Sequence, residues 1–131
     1  MFESMTANEN SFFTKEMYVS QIDLETNEDV LERIYVHVAA GVSLPVEFFF
    51  VSDNEEKLKG LGLYMMEHYP DYSDFKIGPY EAIFQLSGET SPIQMEIESI
   101  NEWNKIMWDL GYAYDCKLDG WQVETGGSKQ Q

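Results

Sequence analysis

Val46-Glu47-Phe48-Phe49-Phe50-Val51 is an almost wholly apolar run of aromatic and β-branched residues, entered through Leu44-Pro45 and left through Ser52-Asp53-Asn54-Glu55. Its composition predicts a central strand. The exit has capping-box-like spacing and opens a helix in which Leu58, Leu61, Met65 and Tyr69 share one face, ending before Pro70. Gly60 and Gly62 weaken that helix by about 1 kcal/mol each relative to alanine, so close packing of helix on sheet is their expected reason.

Downstream, residues 75–77 and 80–86 predict a β-hairpin turning at Gly78-Pro79. Ser99-Ile100-Asn101-Glu102 repeats the capping-box spacing, and Ile100, Trp103, Met107 and Leu110 form the apolar stripe of a further helix closed by Gly111. A last strand is expected at 121–124. The order strand, helix, strand, strand, helix, strand predicts an α+β, ferredoxin-like βαββαβ antiparallel sheet with both helices on one face.

Upstream of the first strand, Thr26 reads as an N-cap, followed by acidic residues in the first turn and by Val30, Ile34 and Val38 at helical spacing, with Gly41 as the stop. This helix is an N-terminal addition to the βαββαβ unit. Residues 17–24 fit either a strand or a helical turn. Residues 1–25 are expected to form a partly flexible leader in which Phe12 and Phe13 dock onto the body, 26–125 a single domain, and 126–131 a flexible tail.

The chain has 131 residues, 44% of them hydrophobic and 15% aromatic, which is far from the composition of a disordered acidic segment. Its 24 acidic residues against 8 basic ones give a net charge of −16, which repels phosphate and draws in basic surfaces. The basic residues are scattered, leaving no footprint for direct nucleic-acid binding. The longest apolar run is too short to span a membrane, and Cys116 is the only cysteine, so a cytoplasmic protein without an internal disulfide is expected.

No constellation predicts catalysis, a cofactor or a metal. His37 and His68 lie on different helices with no ligand spacing between them, and His68 reads as a helix C-terminal cation. Cys116 lacks a CxxC partner or a neighbouring histidine and reads as a small packed hydrophobe. Carboxylate pairs arise by chance in so acidic a chain, and no glycine-rich phosphate cradle occurs. The protein is therefore expected not to be an enzyme.

The C-terminal stretch is more informative. Asp119-Gly120 reads first as a tight turn, with Trp121 anchoring the last strand in the core. The functional alternative is an aromatic anchor ringed by acids that grips a basic peptide, with Trp108, Tyr112, Asp115, Asp119 and Trp121 as candidate partner-binding residues. Trp108, which falls off the 100/103/107/110 stripe, is expected to be exposed.

The order of elements, the Phe48-Phe49-Phe50 strand running into Ser52-Asp53-Asn54, the Gly-terminated helix and the ending Asp115 to Asp119-Gly120-Trp121 together resemble one family. It is the RraB family, regulators of ribonuclease E activity, and the resemblance covers about residues 27–124. It implies an acidic, non-enzymatic bacterial protein that binds the endonuclease or its basic scaffold and modulates RNA turnover. The chain departs from the family pattern in Leu118 where a tyrosine is usual, in Gln122 where a small glycine is usual, and in 126–131 where an acidic tail is usual. Two other classes fit so small an acidic fold: a small-molecule-binding domain, for which no convergent polar cluster is visible in the sequence, and an immunity-type protein neutralising a basic toxin.

Overall fold

A computed structural model describes residues 10–124. The elements are α1 (Lys15–Ser20), α2 (Thr26–Tyr35), β1 (Ser43–Leu44), β2 (Glu47–Ser52), α3 (Glu55–His68), β3 (Ser73–Tyr80), β4 (Ile83–Glu89), β5 (Ile93–Gln94), α4 (Ile97–Ala113) and β6 (Lys117–Gln122). Among the described residues the fold is mixed α+β, with four helices, a four-stranded sheet in the order β3-β4-β2-β6 and a two-stranded ribbon of β1 with β5. Every strand pair is antiparallel. The predicted leader before residue 10 and the predicted tail at 126–131 lie outside the described residues.

The apolar run does form a central strand. Phe50 stands opposite Leu86 on one side and Leu118 on the other, and all three are buried. Residues directly opposite in an antiparallel pair point to the same face. That face carries both long helices: Gly62 of α3 lies against Leu86, and Gly111 of α4 against Phe50. Leu58, Leu61 and Met65 of α3 and Ile100, Trp103 and Met107 of α4 complete a single core with Phe48 and Phe50.

Several boundaries differ from the sequence reading, each for a local reason. The hairpin turns at Glu81-Ala82, with Tyr80 opposite Ile83 and Glu81 at φ 56°, while Gly78 and Pro79 lie inside β3. Because β3 is the edge of the sheet, a proline with no N–H is tolerated there. Helix α2 has Glu25 at its N-cap with no side-chain cap, since Asp23 takes the Glu25 and Thr26 N–H groups instead. It ends at Tyr35, and Gly41 (φ 89°) serves the turn into β1. Helix α4 starts at Ile97, ahead of the Ser99 box, with no side-chain cap. Residues 17–24, which fit strand or helix, open in the last turns of α1, whose cap is Thr14. Strand β6 begins at Lys117, and Asp119 is the extra residue of a β-bulge, because Phe50 pairs with Leu118 and Phe49 with Gly120. The Asp-Gly pair is therefore inside a strand and makes no tight turn.

Close packing does not require the two glycines of α3. A Cβ built at Gly62 meets only the Leu86 methyls at 3.8 and 3.9 Å, and one at Gly60 meets the Tyr114 ring at 3.5 and 3.6 Å, all ordinary van der Waals contacts. Gly62→Ala is therefore expected to stabilise the protein by about 1 kcal/mol through reduced backbone entropy in the unfolded chain, read as a higher urea midpoint at unchanged m-value.

Candidate functional site

Where α2, α4 and β6 meet, three asparagines converge on a tryptophan. Asn27 is 1% exposed and Asn104 6%, so both amides are inside the protein. The Trp121 Nε1–H donates to Asn27 Oδ1 at 3.0 Å. An indole nitrogen can only donate, so this bond fixes the Asn27 amide with its Nδ2 turned away. That Nδ2 donates to Asn101 Oδ1 at 2.8 Å and to Asn104 Oδ1 at 3.1 Å. Both acceptors are thereby fixed as oxygens, and Asn104 Nδ2 faces the other way, into a cleft of about 300 Å³.

The cleft is walled by Trp108 and Trp121 and rimmed by Asp23, Lys117 and Asp119. Three of the five predicted residues, Trp108, Asp119 and Trp121, thus come together. Trp108 is not the exposed anchor that its position off the stripe predicted: it is 5% exposed, its Nε1 donates to Tyr18 O at 2.9 Å, and Phe13 packs edge-on against it at 4.7 Å. The segment before α2 supplies a second partner surface for α4, so a residue off the first stripe is also buried. The Lys117 ammonium sits 5.6 Å from the Trp108 ring.

Tyr112 and Asp115 belong to a different place, the seam that holds residues 10–18. Tyr112 stacks on Tyr18 with ring centroids 4.2 Å apart and meets Phe13 edge-on at 5.5 Å. Asp115 is buried and its carboxylate accepts from the backbone N–H groups of Ser11, Phe12 and Phe13, at 3.0, 3.0 and 2.6 Å, and from Lys57 Nζ at 2.6 Å. Burial by itself would raise its pKa, but Lys57 and the three N–H groups more than offset this and hold it below the usual carboxylate value. With its oxygens turned inward, Asp115 anchors the protein's own N-terminal segment. Phe13, fully buried, is the residue this anchor delivers to the core.

A third feature was not read from the sequence as a site. Glu28, Leu31, Glu32, Tyr35, Glu96 and Glu98 line a groove of about 500 Å³ between α2 and the start of α4, and a neighbouring hollow adds Glu25. None of these five glutamates takes part in an ion pair among the described residues, where the cations that pair are Lys57 and Lys59. Five carboxylates with no ion-pair partner among the described residues give the groove a negative lining.

Cys116 and His68 take up positions in the packing of the fold. Cys116 is buried, and loss of solvent pushes its thiol up to about 12, so it stays protonated. His68 ends α3 as expected and stacks on Tyr64 at 4.0 Å. Among the described residues no three His, Cys, Asp or Glu side chains gather as a metal site, and no helix is long and apolar enough to cross a membrane.

The asparagine cluster is what sequence reasoning missed, and a signal was present. Asn104 lies four residues after Ile100 and three before Met107, on the apolar face of α4, where a polar residue needs a buried partner.

The family model for regulator of ribonuclease activity B matches residues 24–123. No curated protein matches the chain significantly.

Proposed function

The chain belongs to the RraB family of regulators of ribonuclease activity, and from that premise we propose that it is a non-catalytic, acidic protein that binds an E-type ribonuclease or its basic scaffold and restrains RNA turnover. The family gives a regulatory role toward a ribonuclease; the partner surface is inferred from charge. The observation that carries the reading is the groove of Glu28, Glu32, Glu96 and Glu98 along α2, with Glu25 in the hollow beside it, none of them in an ion pair among the described residues. A basic, extended segment of the partner lies along it, and the regulator acts by masking that segment from RNA or from the rest of the degradation machinery. Direct RNA binding is disfavoured by the net charge of −16, and the lone buried cysteine suits the cytoplasm.

We read the βαββαβ portion as ferredoxin-like. The antiparallel order β3-β4-β2-β6, with α3 and α4 on one face, supports this, and β1, β5 and α2 are additions at the end where the groove lies.

The reading predicts strong salt dependence, because attraction between exposed charges is screened beyond a Debye length of about 8 Å at physiological ionic strength. Replacing Glu28, Glu32, Glu96 and Glu98 together by glutamine is expected to weaken binding to the ribonuclease about 10-fold to 30-fold at physiological salt, mainly through a slower association rate. Thermal stability should change little, since these side chains make no ion pairs among the described residues. Calorimetric titration of the purified ribonuclease, alongside an RNA-cleavage assay, checks both. Undiminished binding and inhibition by the quadruple variant would exclude the groove as the contact.

A further inference from the structure

We infer that the cleft between α2, α4 and β6 is a binding site for a free α-amino acid, whose carboxylate is taken by the Asn104 amide and the Lys117 ammonium and whose ammonium is taken by Asp119. The inference stands apart from the ribonuclease reading and uses a different face of α2.

The central observation is Asn104 Nδ2. The residue is 6% exposed, its oxygen is committed to Asn27, and no acceptor among the described residues takes its two N–H groups. The amide borders the cleft, so its two N–H groups are open there to an acceptor brought by water or by a ligand. The amide cannot relieve itself by flipping, because that would set its NH₂ against the NH₂ of Asn27, whose own orientation is locked by the donor-only indole of Trp121. The cleft therefore presents two N–H donors fixed in direction, which a ligand oxygen can take in place of water.

Its other charged groups define what carries that oxygen. Lys117 makes no ion pair among the described residues and is held over the Trp108 ring, a second unmatched donor on the same cleft. Two donors, one of them cationic, suit a carboxylate better than a neutral carbonyl. Asp119 is the bulge residue of β6, exposed at the rim and without an ion-pair partner among the described residues, whereas Asp23 already caps the start of α2. A carboxylate at the rim of an already acidic protein repels simple anions and phosphate esters, and it accepts an ammonium group. A zwitterion satisfies both ends, and the indoles of Trp108 and Trp121 face its side chain. The volume of about 300 Å³ holds one residue-sized molecule and is at the small end of ligand sites.

The test is a titration of the ¹⁵N-labelled full chain followed through the Trp108 and Trp121 indole N–H and Asn side-chain amide resonances. L-Leucine and L-phenylalanine are the zwitterionic probes, N-acetyl-L-leucine lacks the ammonium, and L-leucinamide lacks the carboxylate. The expected result is saturable shifts of the two indoles with a Kd of about 1 mM for at least one free amino acid, weakened about 10-fold or more by acetylation and by amidation. Asn104→Asp keeps the oxygen that Asn27 needs and removes the donor, and Asp119→Asn removes the rim charge at an exposed position. Each is expected to weaken the free amino acid about 10-fold, and Asp119→Asn keeps the test valid if the buried change disturbs folding. Absence of any saturable indole shift up to about 50 mM, far above that Kd, or equal binding of all the probes, overturns the inference. So does binding unaffected by Asp119→Asn.

Discussion

Asp115→Ala is expected to destabilise the protein by about 3 kcal/mol or more, and to lower its melting temperature by about 10 °C, the larger part of the effect coming from detachment of residues 10–18. The carboxylate satisfies three consecutive backbone N–H groups and Lys57 at once. Hydrogen bonds to a charged group contribute about 1.5 to 3 kcal/mol each when removed singly, and the Phe13 N–H is left without solvent to replace its acceptor. The backbone adds a further term. Asp115 has φ 59° and occupies the left-handed position after α4, where the Asp115 N–H reaches Tyr112 O and the Cys116 N–H reaches Gly111 O, the paired bonds of a Schellman ending. Alanine is strained at that φ by about 1 kcal/mol, whereas asparagine tolerates it. Asp115→Asn should therefore lose only the charge and part of the N–H cradle, and comparison of the two variants by urea unfolding separates backbone from carboxylate.

The same carboxylate gives the fold a pH dependence of known sign. Asp115 is lowered from its ordinary 3.8 in the folded state, so its contribution is fully present above that unfolded value and fades as pH falls through the depressed folded one. The stability gap between the parent protein and Asp115→Asn is expected to be constant from neutral pH down to about 5 and to close below about 4. A gap that persists unchanged at pH 2 would mean that the carboxylate charge is not what stabilises the fold.

How far the sequence carried depended on whether a residue's partner was local. The strand at Val46 to Val51 and the helices that follow it were legible because apolar spacing records burial against a sheet, and the antiparallel α+β layout followed from their order. Trp108 was misread because helical spacing describes one buried face, and α4 has two: the sheet on one side and the segment of Phe13 and Tyr18 on the other. Asp115, a partner-binding candidate in the sequence, turns inward to backbone N–H groups that lie about a hundred positions earlier in the chain, where no local pattern reveals them. The turn residues failed for a related reason. Pro79 marks a turn by local propensity but sits on an edge strand, where its missing N–H faces no neighbour, while Glu81 takes the positive φ. Of the residues lining the cleft, Trp108, Asp119 and Trp121 are among those the sequence singles out, whereas the asparagine cluster is hidden because its members pair with one another across α2 and α4.

Gly111 shows the same division between local and tertiary causes, and it makes the sharpest contrast with Gly62. The sequence suggests that Gly111 stops a helix, yet α4 runs on to Ala113 and the left-handed ending falls on Asp115. What Gly111 provides is room. A Cβ built there collides with the Cys116 backbone carbonyl oxygen and comes within 2.9 Å of Phe50 Cε1. Neither can yield cheaply: the Cys116 segment is tied by its N–H to Gly111 O at 2.8 Å, and Phe50 is fully buried in the central strand. Alanine at an unobstructed helical site gains about 1 kcal/mol over glycine, whereas overpacking a rigid core costs about 1 to 3 kcal/mol, more when the obstacle is backbone. Gly111→Ala is accordingly expected to cost about 3 kcal/mol net and to loosen the junction of α4 with β6, which also carries the Asp115 anchor. One substitution type in one protein should then shift the urea midpoint in opposite directions, up at Gly62 and down at Gly111. Equal shifts at the two sites would show that helix propensity, and not the approach of Phe50 and the Cys116 carbonyl, governs both.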